Sequence, residues 1–152
     1  MLMWIIAFLW LALDQITKHT LPLFFNWYES TELIPGLLRI TLVKNDGAAF
    51  GFLSGRSGLF IIVAIGFIVF LFIKRDLFLQ SKITRIGAPL AGAGALGNVI
   101  DRIFFGYVID FIDVPFFSIF NVADIGIVVG IGLLAIGFYQ LVRDHKDVFD
   151  NS

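Results

Sequence analysis

The chain has no cysteine, only two histidines, and few charges: 15% of its 152 residues are Asp, Glu, Lys or Arg. The first absence removes disulfides, thiolate nucleophiles and cysteine-based metal sites together, without fixing a compartment. His19 and His145 are far apart and belong to no metal-ligand motif, so no metal or other cofactor is expected. His19 reads as a helix-end residue, and His145, beside Arg143, Asp144, Lys146 and Asp147, as part of a solvated tail. A soluble domain is about a quarter charged. This chain is well below that, and its eleven Lys and Arg are dispersed. With a net charge of -1 and no polybasic patch, nucleic acid is not an expected partner. Gly-x-Ser-x-Gly and His-Glu-x-x-His are also missing, and Ser81-Lys82 is an adjacent pair in a link, not a dyad. The apolar start, Met1 to Leu13, lacks a basic leader and a small-x-small cleavage site and runs on into Asp14, Gln15 and Lys18. It is read as a retained first span.

What fills the chain instead is apolar: 59% of residues are hydrophobic, more than polar side chains could cover. Four stretches, about 2–25, 58–73, 83–100 and 122–142, approach the roughly 20 residues a membrane helix needs, the second only with local thinning. Backbone groups in hydrocarbon must bond within their own segment, so these stretches are helices. The expectation is an all-α polytopic membrane protein, a single domain of four transmembrane helices. Lys74, Arg75, Lys82 and Arg85 lie between spans two and three, and Arg143 and Lys146 follow span four. Basic links stay inside, so both termini are cytoplasmic, although the outward first loop also holds Arg39, Lys44 and Arg56. In that loop, Leu37 to Val43 is rich in aliphatic and β-branched residues between two turn signals, Pro35-Gly36 and Asn45-Asp46-Gly47. This predicts a small β-sheet in the first extracytoplasmic loop. Trp27, Tyr28 and Tyr107 suit the membrane interface. Span three is lined with Gly and Ala, which allow close helix packing.

Ionisable residues within or beside apolar spans cost from about 3 to 10 kcal/mol unless something holds them. Asp14, Lys18, Asp101, Arg102, Asp110, Asp113 and Asp124 are such residues. Asp14 and Lys18, four apart, share a helix face and read as an ion pair. Asn98 and Arg102 have the same spacing, and Arg102 could pair with a carboxylate of the third loop. Asn121 and Asp124 suit a helix start, as cap and first-turn acid. Packing of spans three and four would bring the loop that holds Asp110 and Asp113 back beside Asp124. Two close carboxylates in a low dielectric share one proton, giving one acid and one base. Such a pair can activate water against a peptide carbonyl. A small ion- or proton-coupled transporter or channel subunit is the alternative, since intramembrane carboxylates also mark ion paths. A structural subunit whose charges serve assembly is a third.

Four blocks carry a family resemblance: Asp14-Gln15-Ile16-Thr17-Lys18; Asn45-Asp46-Gly47-Ala48-Ala49-Phe50-Gly51; Gly94 to Arg102 leading to Val108-Ile109-Asp110-Phe111; and Phe120-Asn121-Val122-Ala123-Asp124. In this order they resemble the bacterial lipoprotein signal peptidases, also called signal peptidase II. The resemblance implies an aspartic endopeptidase that removes the signal peptide of a prolipoprotein just before a diacylglyceryl-modified cysteine. It implies Asp110 and Asp124 as the catalytic pair, not Asp113 or Asp101. Asn45, Asn98, Arg102 and Asn121 match polar site positions, and Asp14, Lys18 and Gly47 match positions supporting the site or its loop. It implies an inner-membrane enzyme with its site at the outer face, membrane lipid around it and no metal; four helices suffice for a monomeric site. The outer sheet would clamp substrate, with Phe50 or Phe52 as apolar contacts. Asp46 stands where Thr is more usual and Ala93 where Gly is.

Overall fold

The structure, a computed structural model, describes residues 1–47 and 57–150, with side chains to Arg143 in the last helix. Helix α1 spans Leu2–Thr20 and runs into a 3-10 turn at Leu21–Leu23, where Pro22 sits near the turn's start. Strands β1 (Ser30–Ile34) and β2 (Leu38–Asn45) follow, then α2 (Ser57–Ile73) and a single turn, α3 (Arg75–Phe78). Helix α4 covers Thr84–Phe105, β3 covers Val108–Asp113, and α5 covers Val122–Asp150. The four expected apolar stretches are therefore helical. Their ends differ: α4 runs past Ile100, so Asp101 and Arg102 lie within the helix.

By length and composition one described helix, Val122–Arg143, could cross a membrane; Ser57–Ile73 is apolar but shorter. The physical reason α1 and α4 fall short is the polar cargo they carry inward. Asp14 and Lys18 on α1 and Asn98 and Asp101 on α4 are buried. The outside of the bundle is the reverse, with Trp4, Phe8, Val128 and Tyr139 each about two-thirds exposed. A water-soluble domain buries its apolar side chains and rarely exposes so continuous an apolar surface.

The sheet has three antiparallel strands in the order β1-β2-β3. The hairpin β1–β2 turns at Pro35-Gly36, as the sequence indicates. The third strand is a correction: 108–113 reads as loop from the sequence and is a strand paired with β2. Its Val-Ile-Asp-Phe-Ile-Asp string is β-branched and aromatic apart from the acids. Pairing with β2 supplies bonds for a backbone that is almost wholly buried. One face of the sheet packs Ile40, Leu42, Ile109 and Phe111 against Val122 at the start of α5. Outside it, Trp27 and Tyr107 meet edge to face, with the Lys44 ammonium about 5 Å from both rings. Tyr28 is exposed.

Helix α4 is the hub, packing on α1, α2 and α5. Its small residues permit this. A Cβ at Gly97 would strike the Asp14 carboxylate. At the far end from the sheet, Leu71, Phe78, Ala88, Ala91 and Leu134 form a second apolar cluster.

Candidate active site

Asp124 enters the site through a helix start. Asn121 caps α5: its Oδ1 accepts the Asp124 N–H at 2.9 Å, and Asp124 Oδ2 accepts the Asn121 N–H at 3.2 Å. This is a reciprocal capping box. The local reading of Asn121 and Asp124 as cap and first-turn acid is therefore correct. It leaves Asp124 Oδ1 to another element, where Asn98 of α4 donates to it at 2.8 Å.

Asp110 enters from the sheet. It lies opposite Val43 on β2, two residues from the Asn45↔Val108 pair. Residues two apart share a strand face, so Asn45 reaches Asp110 diagonally. Asn45 Nδ2 donates to Asp110 Oδ2 at 2.7 Å, and Asn121 Nδ2 donates to Asp110 Oδ1 at 2.6 Å. One asparagine, Asn121, thus touches both carboxylates. Asn45 is oriented in turn by Gly47, whose N–H donates to its Oδ1 at 2.9 Å. Gly47 has φ +99°, and a Cβ there would lie 2.6 Å from a Phe60 ring carbon. Only glycine meets both demands.

Asp113 is three residues from Asp110, so strand alternation turns it to the opposite face. There it takes two bonds from Arg39, at 3.0 Å each, and one from Thr41 Oγ1 at 2.7 Å. The guanidinium beside it holds the Asp113 carboxyl below the usual range. Asp110 is the opposite case. Burial first, then the neighbouring Asp124 charge, push its pKa up to about 7, against the asparagine bonds that lower it. A carboxyl that keeps its proton near neutrality beside a second carboxyl can serve as an acid paired with a base.

Behind the pair lies a buried charge cluster. Lys18 Nζ is 2.9 Å from Asp14 Oδ2 and 3.1 Å from Asp101 Oδ2, all three side chains fully buried. The ammonium also donates to Asn98 Oδ1 at 3.0 Å, and Asn121 Nδ2 reaches the same oxygen at 3.1 Å. Asp14 Oδ1 accepts the N–H of Ala123, and Asp101 Oδ2 accepts the N–H of Ile109. Ala123 and Ile109 are the residues just before Asp124 and Asp110. The cluster therefore clamps the backbone beside each carboxylate.

Asp14, Lys18, Asn45, Gly47, Asn98, Asp110, Asn121 and Asp124, singled out in the sequence, fall in this one network. Arg102 differs from expectation. Among the described residues it forms no ion pair; Nη1 donates to the Asn98 carbonyl at 3.3 Å, and the guanidinium lies 4.9 Å from the Phe60 ring centre. The third-loop carboxylates are already engaged, Asp113 by Arg39 and Asp110 by two asparagines. Arg102 lines a cavity of about 280 Å³ with Asn98, Phe60, Val63, Phe67 and Ile127. Its buried Nε has no partner among the described residues. His19 packs edge-on against Phe105 and takes no part in the site. The side chains of His145 and Lys146, and the whole of Ala48 to Arg56 with Phe50 and Phe52, lie outside the described residues.

Sequence reasoning assigned no role to Asp101, Gln15 or Trp10. Asp101 carried a usable signal, since it stands three residues after Asn98 on one helix face. Gln15 donates to Asp14 and Asp101. Trp10 Nε1 donates to the Val122 carbonyl at 3.1 Å, tying α1 to the start of α5, and nothing local foretells it.

Known proteins resemble this chain in sequence and in fold. A family model described as "Signal peptidase (SPase) II" matches residues 6–140. A lipoprotein signal peptidase of Halothermothrix orenii is 37% identical over 91% of this chain and 96% of its own length. Another, from Desulfitobacterium hafniense, is 42% identical over 97% of both. A solved bacterial membrane enzyme superposes with a TM-score of 0.83 at 35% identity, over 95% of this chain and 90% of its own. A second gives 0.76 at 38%, over 90% and 91%. Matched along nearly its whole length by the family model, by curated relatives and by solved membrane enzymes, the chain belongs to the signal peptidase II family.

Proposed function

We propose that this protein is an intramembrane aspartic endopeptidase that cleaves the signal peptide from prolipoproteins, before the diacylglyceryl-modified cysteine, with Asp110 and Asp124 as its catalytic pair. The observation that carries the reading is the convergence of two carboxylates from separate elements, β3 and α5, on one asparagine, where burial and the Asp124 charge raise the Asp110 pKa to about 7. The titration belongs to the pair. Below about pH 7 Asp110 holds a proton. The unprotonated carboxylate takes a proton from a water between the two, and the water oxygen attacks the scissile carbonyl carbon. The protonated carboxyl then gives its proton to the amide nitrogen as the carbon–nitrogen bond breaks. The unpartnered Arg102 Nε–H is a donor for a substrate carbonyl beside the pair.

In this reading α1, α2, α4 and α5 all cross the bilayer, and their inward polar groups are shielded by one another. The basic link between α2 and α4 faces the cytoplasm with both termini, and the sheet and the aspartate pair lie at the outer surface. The scissile bond of a lipid-anchored substrate arrives there. The chain acts as a monomer, because one copy supplies every group of the network. Purified protein in detergent should cleave a diacylglyceryl-modified prolipoprotein, detected as a mobility shift. Asp124→Asn and Asp110→Asn should each remove cleavage while the protein stays folded. Near-normal turnover by either variant would sink the assignment of the pair.

A further inference from the structure

A second cavity lies away from the one that Asn98 and Arg102 line. A groove of about 670 Å³ opens at the other end of the bundle, between α1 and α2, with α4 as its floor. Both helices pack on α4 and have little direct contact with each other. The floor is shallow-sided because it is built of small residues: Ala88, Pro89, Gly92 and Ala93. From Leu96 at its inner end to Arg85 at its mouth is eleven residues of α4, roughly 16 Å of helix rise. That matches one leaflet, about half of a 30 Å hydrocarbon core.

The mouth is charged. Arg75 and Arg85 line it together with Asp76. Arg85 Nε donates to the Leu79 carbonyl at 2.8 Å, which fixes the guanidinium plane and leaves its terminal amino groups for a ligand. The ion pair of Arg75 with Asp76 is long, 3.6 Å, and exposed, so it competes weakly. Lys74 and Lys82 stand on the same link, where Asp76 is the one acid between residues 74 and 85. An apolar slot one leaflet deep, ending in two arginines on a basic link, has the chemistry of an anionic phospholipid: acyl chain within, phosphate on the guanidinium groups. A signal peptide fits less well, because its leading segment is basic and would meet these cations.

We propose that this groove is a binding site for an anionic phospholipid, phosphatidylglycerol-like, held by Arg75 and Arg85. The proposal rests on the membrane orientation given above, and it concerns a place remote from the aspartate pair. The test is lipid retention. Detergent-purified full-length protein is exposed to equimolar phosphatidylglycerol and phosphatidylcholine of the same chains, and bound lipid is counted by native mass spectrometry. Wild type should favour phosphatidylglycerol by about thirtyfold, the value for two arginines at a membrane surface. The double variant Arg75→Gln/Arg85→Gln should bring the two lipids near parity. Ala7→Phe, which fills the groove from the α1 wall and leaves both arginines, should lower retention of both lipids. Equal retention of the two lipids by wild type, or a preference that survives the double variant, overturns the proposal. Prolipoprotein cleavage is measured in parallel on the same samples and should persist in both variants. Wild type that retains phosphatidylglycerol and cleaves nothing would strike at the peptidase reading and leave the lipid site standing.

Discussion

Asp110 should couple the stability of this protein to pH in a direction opposite to that of most folded-state carboxylates. Its pKa rises from 3.8 to about 7 on folding, roughly 3 units, or about 4 kcal/mol at 1.36 kcal/mol each. Between those two values the folded chain holds a proton on Asp110 that the unfolded chain has released. Stability then falls as pH rises. The contribution is fully present below about 4, is lost progressively, and is gone above 7. Other carboxylates, such as Asp113, act in the reverse sense, so wild type alone does not isolate the effect. The comparison is with Asp110→Asn, which cannot ionise. An amide nitrogen there would face Asn45 or Asn121, both donors, so the variant starts with a pH-independent handicap. The difference between the two proteins should nonetheless move in favour of the variant by about 3 kcal/mol between pH 5 and pH 8. As a thermal midpoint in detergent that is roughly 6–12 °C. In the Asp124→Asn background the shift should shrink, because the second cause of the raised pKa is gone. Cleavage by wild type should fall with pH above about 7, as the pair loses its proton. A midpoint difference that stays constant from pH 5 to 8 would refute the reasoning, whatever the activity shows.

Four further outcomes follow from the contacts. Lys18→Met leaves Asp14 and Asp101 buried without a cation and should cost about 3–5 kcal/mol in detergent unfolding; a loss under about 1 kcal/mol would mean the cluster is better solvated than it looks. Asp113→Asn weakens the contacts with Arg39 and Thr41 on the sheet face away from the pair, so cleavage should stay within about threefold of wild type at a stability cost of about 1–2 kcal/mol. Inactivity of that variant would put the wrong strand face at the site. Gly47→Ala strains a positive φ and presses on Phe60, displacing Asn45; at about 1–2 kcal/mol of strain, cleavage should drop about tenfold, and an unchanged rate would detach Asn45 from the mechanism. Asn121→Ala loses the cap of α5 and the bridge between the carboxylates, so a stability loss of about 1 kcal/mol should accompany a far larger loss of cleavage, measured on one sample.

Much of this was written in local pattern. The apolar stretches fixed the helices, since nothing but a helix satisfies the backbone of so apolar a run. Pro35-Gly36 and the aliphatic string after it fixed the β1–β2 hairpin. Spacing of four put Lys18 with Asp14, and spacing of three put Asp124 with its cap. The family blocks drew attention to Asp110 and Asp124 over their acidic neighbours. Other features were invisible because they depend on partners far away in the chain. Strand β3 exists because β2 offers it an edge, and only that pairing makes Asp110 and Asp113 face opposite ways. Asp101 had no role assigned from the sequence. It is a clamp on Ile109 because α1 brings Lys18 to it from 83 residues away. Arg102 looked set for an ion pair and instead lies over Phe60, because the carboxylates it could have met were taken by shorter routes. Sequence alone determined which segments are helical and which residues could do chemistry, since both follow from hydrogen bonding and charge within a few residues. Tertiary structure decided that the Asp110 pKa is raised, because that depends on burial and on a second charge delivered by another helix.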